Sequence, residues 1–258
     1  MIELRTIKTH HVPVQVLEGG SGPDLVVLHD AGGFTADHPF LGALAQHYRV
    51  YAPLLPGYGT SDEAPGIRDM LDVTLHTFDV VEALGLKRPM LLGCSLGGMI
   101  AAEMAAIAPH EVERLVLIAP AGLWLDDHPI PDLFSMLPYE LPGVLFHDVE
   151  LGRKLLTGGV DIDNPDFLIP FLVNYARTFG MAGKFLFPIP DRGLKDRLYR
   201  ITARTRLIWG ESDRLISLPY AGHFERGIAK ADLVTIPRAG HVPHLEQTDA
   251  TIRAIIDF

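Results

Sequence analysis

The spacing of hydrophobic positions changes rhythm twice along the chain. Residues 4–8 and 12–17 alternate apolar and polar side chains, the period-two pattern of a half-buried hairpin. Residues 25–28 (Leu-Val-Val-Leu), 90–92 (Met-Leu-Leu) and 115–118 (Leu-Val-Leu-Ile) are wholly apolar, as strands covered on both faces are. Residues 49–52 read as a further strand. Between these runs the period lengthens. Met70, Leu71, Val73, Leu75, Phe78, Val81 and Leu84 predict a helix over 69–85 closed by Gly85, and residues 96–108 predict another. After residue 121 the alternation stops. Residues 122–200 hold many prolines, most of the phenylalanines and no clear buried strand. Helices are expected there near 131–141, 146–157, 165–181 and 191–200. The rhythm then resumes with strands at 206–209 and 233–236 and helices near 218–229 and 246–257. The pattern predicts an α/β fold. A mainly parallel eight-stranded sheet, formed by 1–121 and 201–258, carries helices on both faces, and 122–200 is a helical insertion lying on it as a cap.

Composition narrows the classes. The 258 residues suffice for one large domain with an insertion, and 48% hydrophobic with 21% charged residues is ordinary for a globular chain. A formal charge of −10 argues against nucleic-acid or anionic-membrane partners. No apolar run approaches a membrane span, and the first residues lack the pattern of a signal peptide. The single cysteine, Cys94, excludes an intrachain disulfide and fits a reducing, cytoplasmic setting. The histidines show no metal-ligand spacing, so no metal is expected, and nothing in the chain specifies an oligomeric state.

The candidate chemistry lies at Gly93-Cys94-Ser95-Leu96-Gly97, a G-x-S-x-G between a predicted strand and a predicted helix. In that context the pentapeptide is a nucleophile elbow, a strained turn that exposes the serine hydroxyl. A serine needs a base, and the base needs an acid to orient it. On a doubly wound sheet both should follow strands at their carboxyl ends. Asp213 follows the strand at 206–209, and His241 follows the strand at 233–236. The order Ser95, Asp213, His241 is the one expected for this elbow. Asp126 or Asp127 is the alternative acid and His244 the alternative base. Glu211 falls two residues early. Cys94 flanks the exposed position and is expected to point into the packing below.

These motifs resemble those of the α/β-hydrolase fold superfamily over nearly the whole chain. The matching stretches are 28–33 (Leu-His-Asp-Ala-Gly-Gly), 55–61 (Leu-Pro-Gly-Tyr-Gly-Thr-Ser), the elbow, 209–213 (Trp-Gly-Glu-Ser-Asp) and 240–246 (Gly-His-Val-Pro-His-Leu-Glu). The chain is most similar to the capped group of small carboxylesterases and meta-cleavage product hydrolases. The resemblance implies Ser95 as nucleophile, His241 as base, Asp213 as acid, and no metal or organic cofactor. It also implies an oxyanion hole of the Leu96 and Ala31 N–H groups, with Gly32 as a substitute for Ala31. The family usually has His-Gly where this chain has His29-Asp30. Asp30 is therefore expected to turn away from the oxyanion, toward loop amides, and His29 to hold the loop. Trp124, Phe134, Met136 and Tyr139 are candidates to face the cleft with Gly32.

The implied reaction is acyl transfer to water, with a small-molecule ester or related acyl compound as substrate. Serine at the elbow separates the chain from the dehalogenase and epoxide hydrolase branches, which have aspartate there, and Leu96 from the proline iminopeptidases, which have tryptophan. Gly32-Gly33-Phe34-Thr35 lacks the Gly-Pro-Gly-Ala signature of meta-cleavage product hydrolases. Those enzymes also hold a carboxylate with a cap arginine, for which Arg153, Arg177 and Arg192 are available. A carboxylesterase is the leading expectation, carbon–carbon hydrolysis of a 2-hydroxy-6-oxo-dienoate the second, and a non-enzymatic ligand receptor that keeps the triad the third.

Overall fold

Eight strands run through the chain as β1 (Ile2–Lys8), β2 (Pro13–Gly19), β3 (Asp24–Leu28), β4 (Arg49–Pro53), β5 (Met90–Cys94), β6 (Arg114–Ile118), β7 (Arg204–Gly210) and β8 (Ala231–Ile236). They form one sheet in the order β1-β2-β4-β3-β5-β6-β7-β8. The first two pairings, β1 with β2 and β2 with β4, are antiparallel, and the other five are parallel. The computed structural model describes residues 1–160, 164–187, 189 and 192–258.

The helices are α1 (Pro39–Leu44), α2 (Met70–Ala83), α3 (Leu96–Ile107), α4 (Leu141–Leu145), α5 (Val149–Thr157), α6 (Pro165–Leu186), α7 (Pro219–Gly227), α8 (Pro243–Glu246) and α9 (Thr248–Ile256). All five residues of β5, and all but the first of β3 and β6, are buried, as their unbroken apolar runs require. Helices cover both faces. On β7, the Trp209 ring packs at a tilt against Phe224 of α7, while Arg206 donates to the Ala254 carbonyl of α9. The two residues have opposite parity, so they project from opposite faces of the sheet. The α2 helix starts where the Asp69 carboxylate accepts from Asp72 N–H, and it stops before Gly85 at φ +71°.

Between β6 and β7 the chain differs in detail from expectation. In place of a helix over 131–141 there is a 3₁₀ turn at Leu133–Ser135, and then the short α4. Pro138 and Pro142 account for this, since proline removes a helical N–H and is tolerated only near a helix start. The expected helix at 146–157 begins at Val149, capped by Asp148, and ends at Gly158 in the left-handed region. The one at 165–181 runs on to Leu186. The last is a 3₁₀ segment, Lys195–Arg200, and the residue 191 end of that expectation lies outside the described residues. Among the described residues, no helix is long and apolar enough to cross a membrane.

Candidate active site

Ser95 sits between β5 and α3 with φ +48° and ψ −109°. A side chain at positive φ is strained by roughly 1–3 kcal/mol and persists only where its surroundings hold it. Here both neighbours do. Ser95 N–H donates to Ile118 O at 2.9 Å, Gly97 N–H donates to His29 O at 3.0 Å, and Ser95 O accepts from Met99 and Ala121 N–H at 3.0 and 3.1 Å. The elbow is thus tied into the carboxyl ends of β3 and β6. Cys94 is buried, and burial, followed by the charge of Asp30, raises its thiol pKa well above the usual range. It is a packing residue.

His241 and Asp213 come to the same point from the ends of β8 and β7. His241 Nε2 lies 2.8 Å from Ser95 Oγ, and His241 Nδ1 lies 2.9 Å from Asp213 Oδ2. Asp213 is itself fixed, because its other oxygen accepts from Leu215 and Ile216 N–H at 2.9 Å each. An ionised acid on Nδ1 keeps the proton there and leaves Nε2 free to accept one from the serine. The base is also clamped from the insertion. His241 N–H donates to Leu145 O at 2.8 Å, and the Glu246 carboxylate accepts from Gly240, His147 and Asp148 N–H. None of the alternatives joins this chain of bonds. His244 is buried, with no hydrogen-bonding partner on either ring nitrogen among the described residues, and Asp126 and Asp127 are exposed, Asp126 accepting from Trp124 Nε1.

Burial alone would push the His241 pKa down. The charge of Asp213, its hydrogen bond and the charge of Asp30 together outweigh burial, so the pKa is raised. Below that pKa the imidazole is protonated and cannot take the serine proton. The acid limb of kcat/KM against pH should therefore have its midpoint above about 6.5. Asp30→Asn should move that midpoint down by removing one of the raising charges. A wild-type midpoint at or below the ordinary histidine value would contradict this.

The loop after β3 is ordered by its own polar groups. His29 Nε2 accepts from Leu55 N–H at 3.0 Å, which leaves Nδ1 as the donor to Asp30 O at 2.6 Å. Burial, only partly offset by that bond, lowers the His29 pKa to about 4 and keeps the ring neutral. The Asp30 carboxylate turns to the loop amides, with Oδ1 accepting from Gly32 N–H at 2.8 Å and Oδ2 3.8 Å from His244 Nε2. Burial raises its pKa. Among the described residues, the N–H groups of Ala31 and Leu96 have no protein acceptor.

Two cavities meet at Ser95. The larger, of about 350 Å³, is lined by His241, Gly32, Phe146 of the insertion, and Phe171, Tyr175 and Phe179 of α6. The smaller, of about 50 Å³, is lined by Ala31, Met99, Leu133, Phe134, Leu186 and Arg192 among others. Gly32 and Phe134 thus line these cavities. Trp124, Met136 and Tyr139 do not. Trp124 lines a separate surface depression with His128 and Lys195, held there by Asp126. Met136 packs half-buried against the core, and Tyr139 is 63% exposed. The prolines that break the expected helix at 131–141 also destroy the face on which these residues would have lined up. The cleft wall that was missed, Phe171, Tyr175 and Phe179, has a readable signal: the residues recur at i, i+4 and i+8 on α6, and neighbouring rings stack.

A mainly parallel sheet with a strained serine after β5, hydrogen-bonded to a histidine after β8 that is hydrogen-bonded to an acid after β7, is the arrangement of a doubly wound α/β fold with its polar groups gathered at the carboxyl ends of the strands. The chain belongs to the alpha/beta hydrolase family, whose model matches residues 25–254. It is 28% identical to the 2-hydroxy-6-oxo-6-phenylhexa-2,4-dienoate hydrolase of Comamonas testosteroni, over 93% of this chain and 89% of that protein. It is 27% identical to the pimeloyl-[acyl-carrier protein] methyl ester esterase of Pectobacterium carotovorum, over 93% and 96%. In structure it superposes with a TM-score of 0.82 on a serine hydrolase from the polyaromatic-hydrocarbon-degrading bacterium Cycloclasticus zankles, at 19% identity, over 99% of this chain and 96% of that one. That last likeness is one of fold.

Proposed function

We propose that the protein is a serine hydrolase acting through an acyl-enzyme, with small or medium carboxylic esters as substrates. The observation that carries this is the continuous chain from Ser95 Oγ through the His241 ring to Asp213, with the serine on a left-handed turn beside two unpaired N–H groups. In this reading His241 takes the Ser95 proton as the hydroxyl attacks the ester carbonyl. The Ala31 and Leu96 N–H groups receive the oxyanion, and the start of α3 adds its dipole. His241 then protonates the departing alcohol and activates water against the acyl-serine. Residues 122–200 serve as the cap, and its α6 aromatics exclude water from the larger cavity. A fluorophosphonate should label the protein once, on the peptide containing Ser95. Labelling elsewhere, or none, would sink the proposal.

One observation favours a second reading, carbon–carbon hydrolysis of a dienoate. Of the three candidate arginines, Arg177 is held by the Gly59 and Ser61 carbonyls and Arg153 pairs with Glu150, whereas Arg192 lines the smaller cavity with Ser95. Its guanidinium also donates to Phe187 O. A dienoate hydrolase is among the similar proteins, as is a methyl ester esterase. We expect kcat/KM for a butyrate ester to exceed that for a 2-hydroxy-6-oxo-dienoate, with Arg192→Ala leaving the ester rate nearly unchanged. A higher efficiency on the dienoate that falls about a hundredfold or more in Arg192→Ala, the cost of an unpaired buried carboxylate, would establish the second reading. Retention of ligand without turnover of either compound would favour a receptor.

A further inference from the structure

The β1–β2 turn and one face of α2 gather side chains that the Ser95 chemistry does not use. The turn is ordered by Thr9, whose hydroxyl donates to Val12 O at 2.7 Å and accepts from His11 and Val12 N–H. It presents two consecutive histidines to α2, where Asp79 and Glu82 lie three residues apart and so share a face. One ligand atom each of His10, Asp79 and Glu82 lie within 4.8 Å of one another. His11 Nε2 is 3.7 Å from Asp79 Oδ2. Among the described residues, neither carboxylate has a lysine or arginine within ion-pair distance, so two acids approach each other with imidazoles beside them.

A second feature lies beneath this group. His76, one turn before Asp79 on α2, is 1% exposed, and among the described residues neither of its ring nitrogens has a hydrogen-bonding partner. Its ring meets that of His11 edge-on, with centroids 5.9 Å apart.

We propose that His10, Asp79 and Glu82, joined by His11, form a binding site for a divalent transition cation of the zinc class. Mixed imidazole and carboxylate donors suit zinc, cobalt or nickel better than calcium or magnesium, which take oxygen ligands. Zinc holds nitrogen and oxygen donors at about 2.0–2.2 Å, which places neighbouring donors about 3.5 Å apart. The donors here need to draw in by little more than an ångström, and His10 and Glu82 are exposed and free to turn. A bound cation would relieve the repulsion between the two acids and tie the edge hairpin to α2. His76 supplies a buried polar group behind the ligands, the usual place of an outer-shell partner. The site is separate from Ser95, so its role is structural. Sequence spacing does not reveal it, because the two donor groups lie on different elements far apart in the chain.

The test uses full-length, untagged protein stripped with chelator. Titration with Zn²⁺ by calorimetry should show saturable uptake of one ion, Co²⁺ should give visible d–d bands, and Zn²⁺ should raise Tm. His10→Ala, Asp79→Asn and Glu82→Gln should each weaken Zn²⁺ binding by about tenfold or more and abolish the Tm rise, with circular dichroism unchanged. His128→Ala, at a distant exposed histidine, should bind as wild type. Wild-type protein without saturable uptake, or three variants with wild-type affinity, would overturn the proposal. So would an equal loss in His128→Ala, which would mark the uptake as diffuse surface binding.

Discussion

In Ser95→Ala, turnover of a chromogenic butyrate ester is expected to fall by up to ~10⁶, and in His241→Ala by about as much, because in the proposed mechanism nucleophile and base act as a unit. The geometry says why neither loss can be shared out. Among the described residues, Ser95 Oγ is hydrogen-bonded to one imidazole, at 2.8 Å, and that imidazole to one acid, at 2.9 Å. Without the hydroxyl there is nothing to attack the carbonyl. Without the imidazole the hydroxyl keeps its proton at neutral pH. Asp213→Asn should cost less, about 10⁴, through a misoriented or wrongly protonated imidazole. The residual rate in all three variants would measure what the proposed oxyanion donors, Ala31 and Leu96 N–H, supply unaided. Cys94→Ala is the matched control. Its thiol is buried and its pKa raised, so kcat should stay near wild type. Ser95→Ala with most of its activity intact would remove the acyl-enzyme mechanism altogether.

The legible part of this chain was what periodicity and local chemistry fix. Three unbroken apolar runs could only be strands buried on both faces, and their alternation with helices specified the parallel core. Ser95, Asp213 and His241 were legible because each follows a strand at its carboxyl end, where chain geometry alone brings loops together. Asp30 was legible in its turn toward the loop amides, where its carboxylate accepts from Gly32 N–H. That it also faces His244 depends on α8, which is remote in sequence. The region between β6 and β7 was least legible. Its side chains are placed by packing onto the core rather than by their own period, and its prolines interrupt the helices that would have set their faces. Hence Trp124, Met136 and Tyr139 looked equivalent to Phe134 in sequence, yet only Phe134 reaches a cavity beside Ser95.

Gly97→Ala is expected to damage both stability and turnover, although it adds one methyl group to a residue that performs no chemistry. A Cβ on Gly97 would lie 2.2 Å from Leu28 O and 2.6 Å from His29 O. Both atoms are backbone, so no side chain can swing aside. Relief requires the start of α3 to move away from the end of β3. Overpacking of this kind costs roughly 1–3 kcal/mol, and here the bond from Gly97 N–H to His29 O is lost as well, about 1 kcal/mol more. Opposite Gly93 the same tightness recurs, since a Cβ there would meet Gly97 O at 2.3 Å. The elbow therefore has no slack on either side. The functional effect should exceed the thermodynamic one. Leu96 is carried by α3 and Ala31 by the β3 loop, so widening the gap separates the two N–H groups that the proposed mechanism aims at one oxyanion. A donor displaced or lost there costs about 10²–10³ in kcat. Urea unfolding should show a lowered midpoint, and the folded fraction should still turn over ester at least a hundredfold more slowly than wild type. Gly42→Ala in α1, where a Cβ meets nothing within 4 Å, should be neutral or slightly stabilising. If Gly97→Ala matched Gly42→Ala in both measurements, close approach of β3 to α3 would not be what holds the elbow in place.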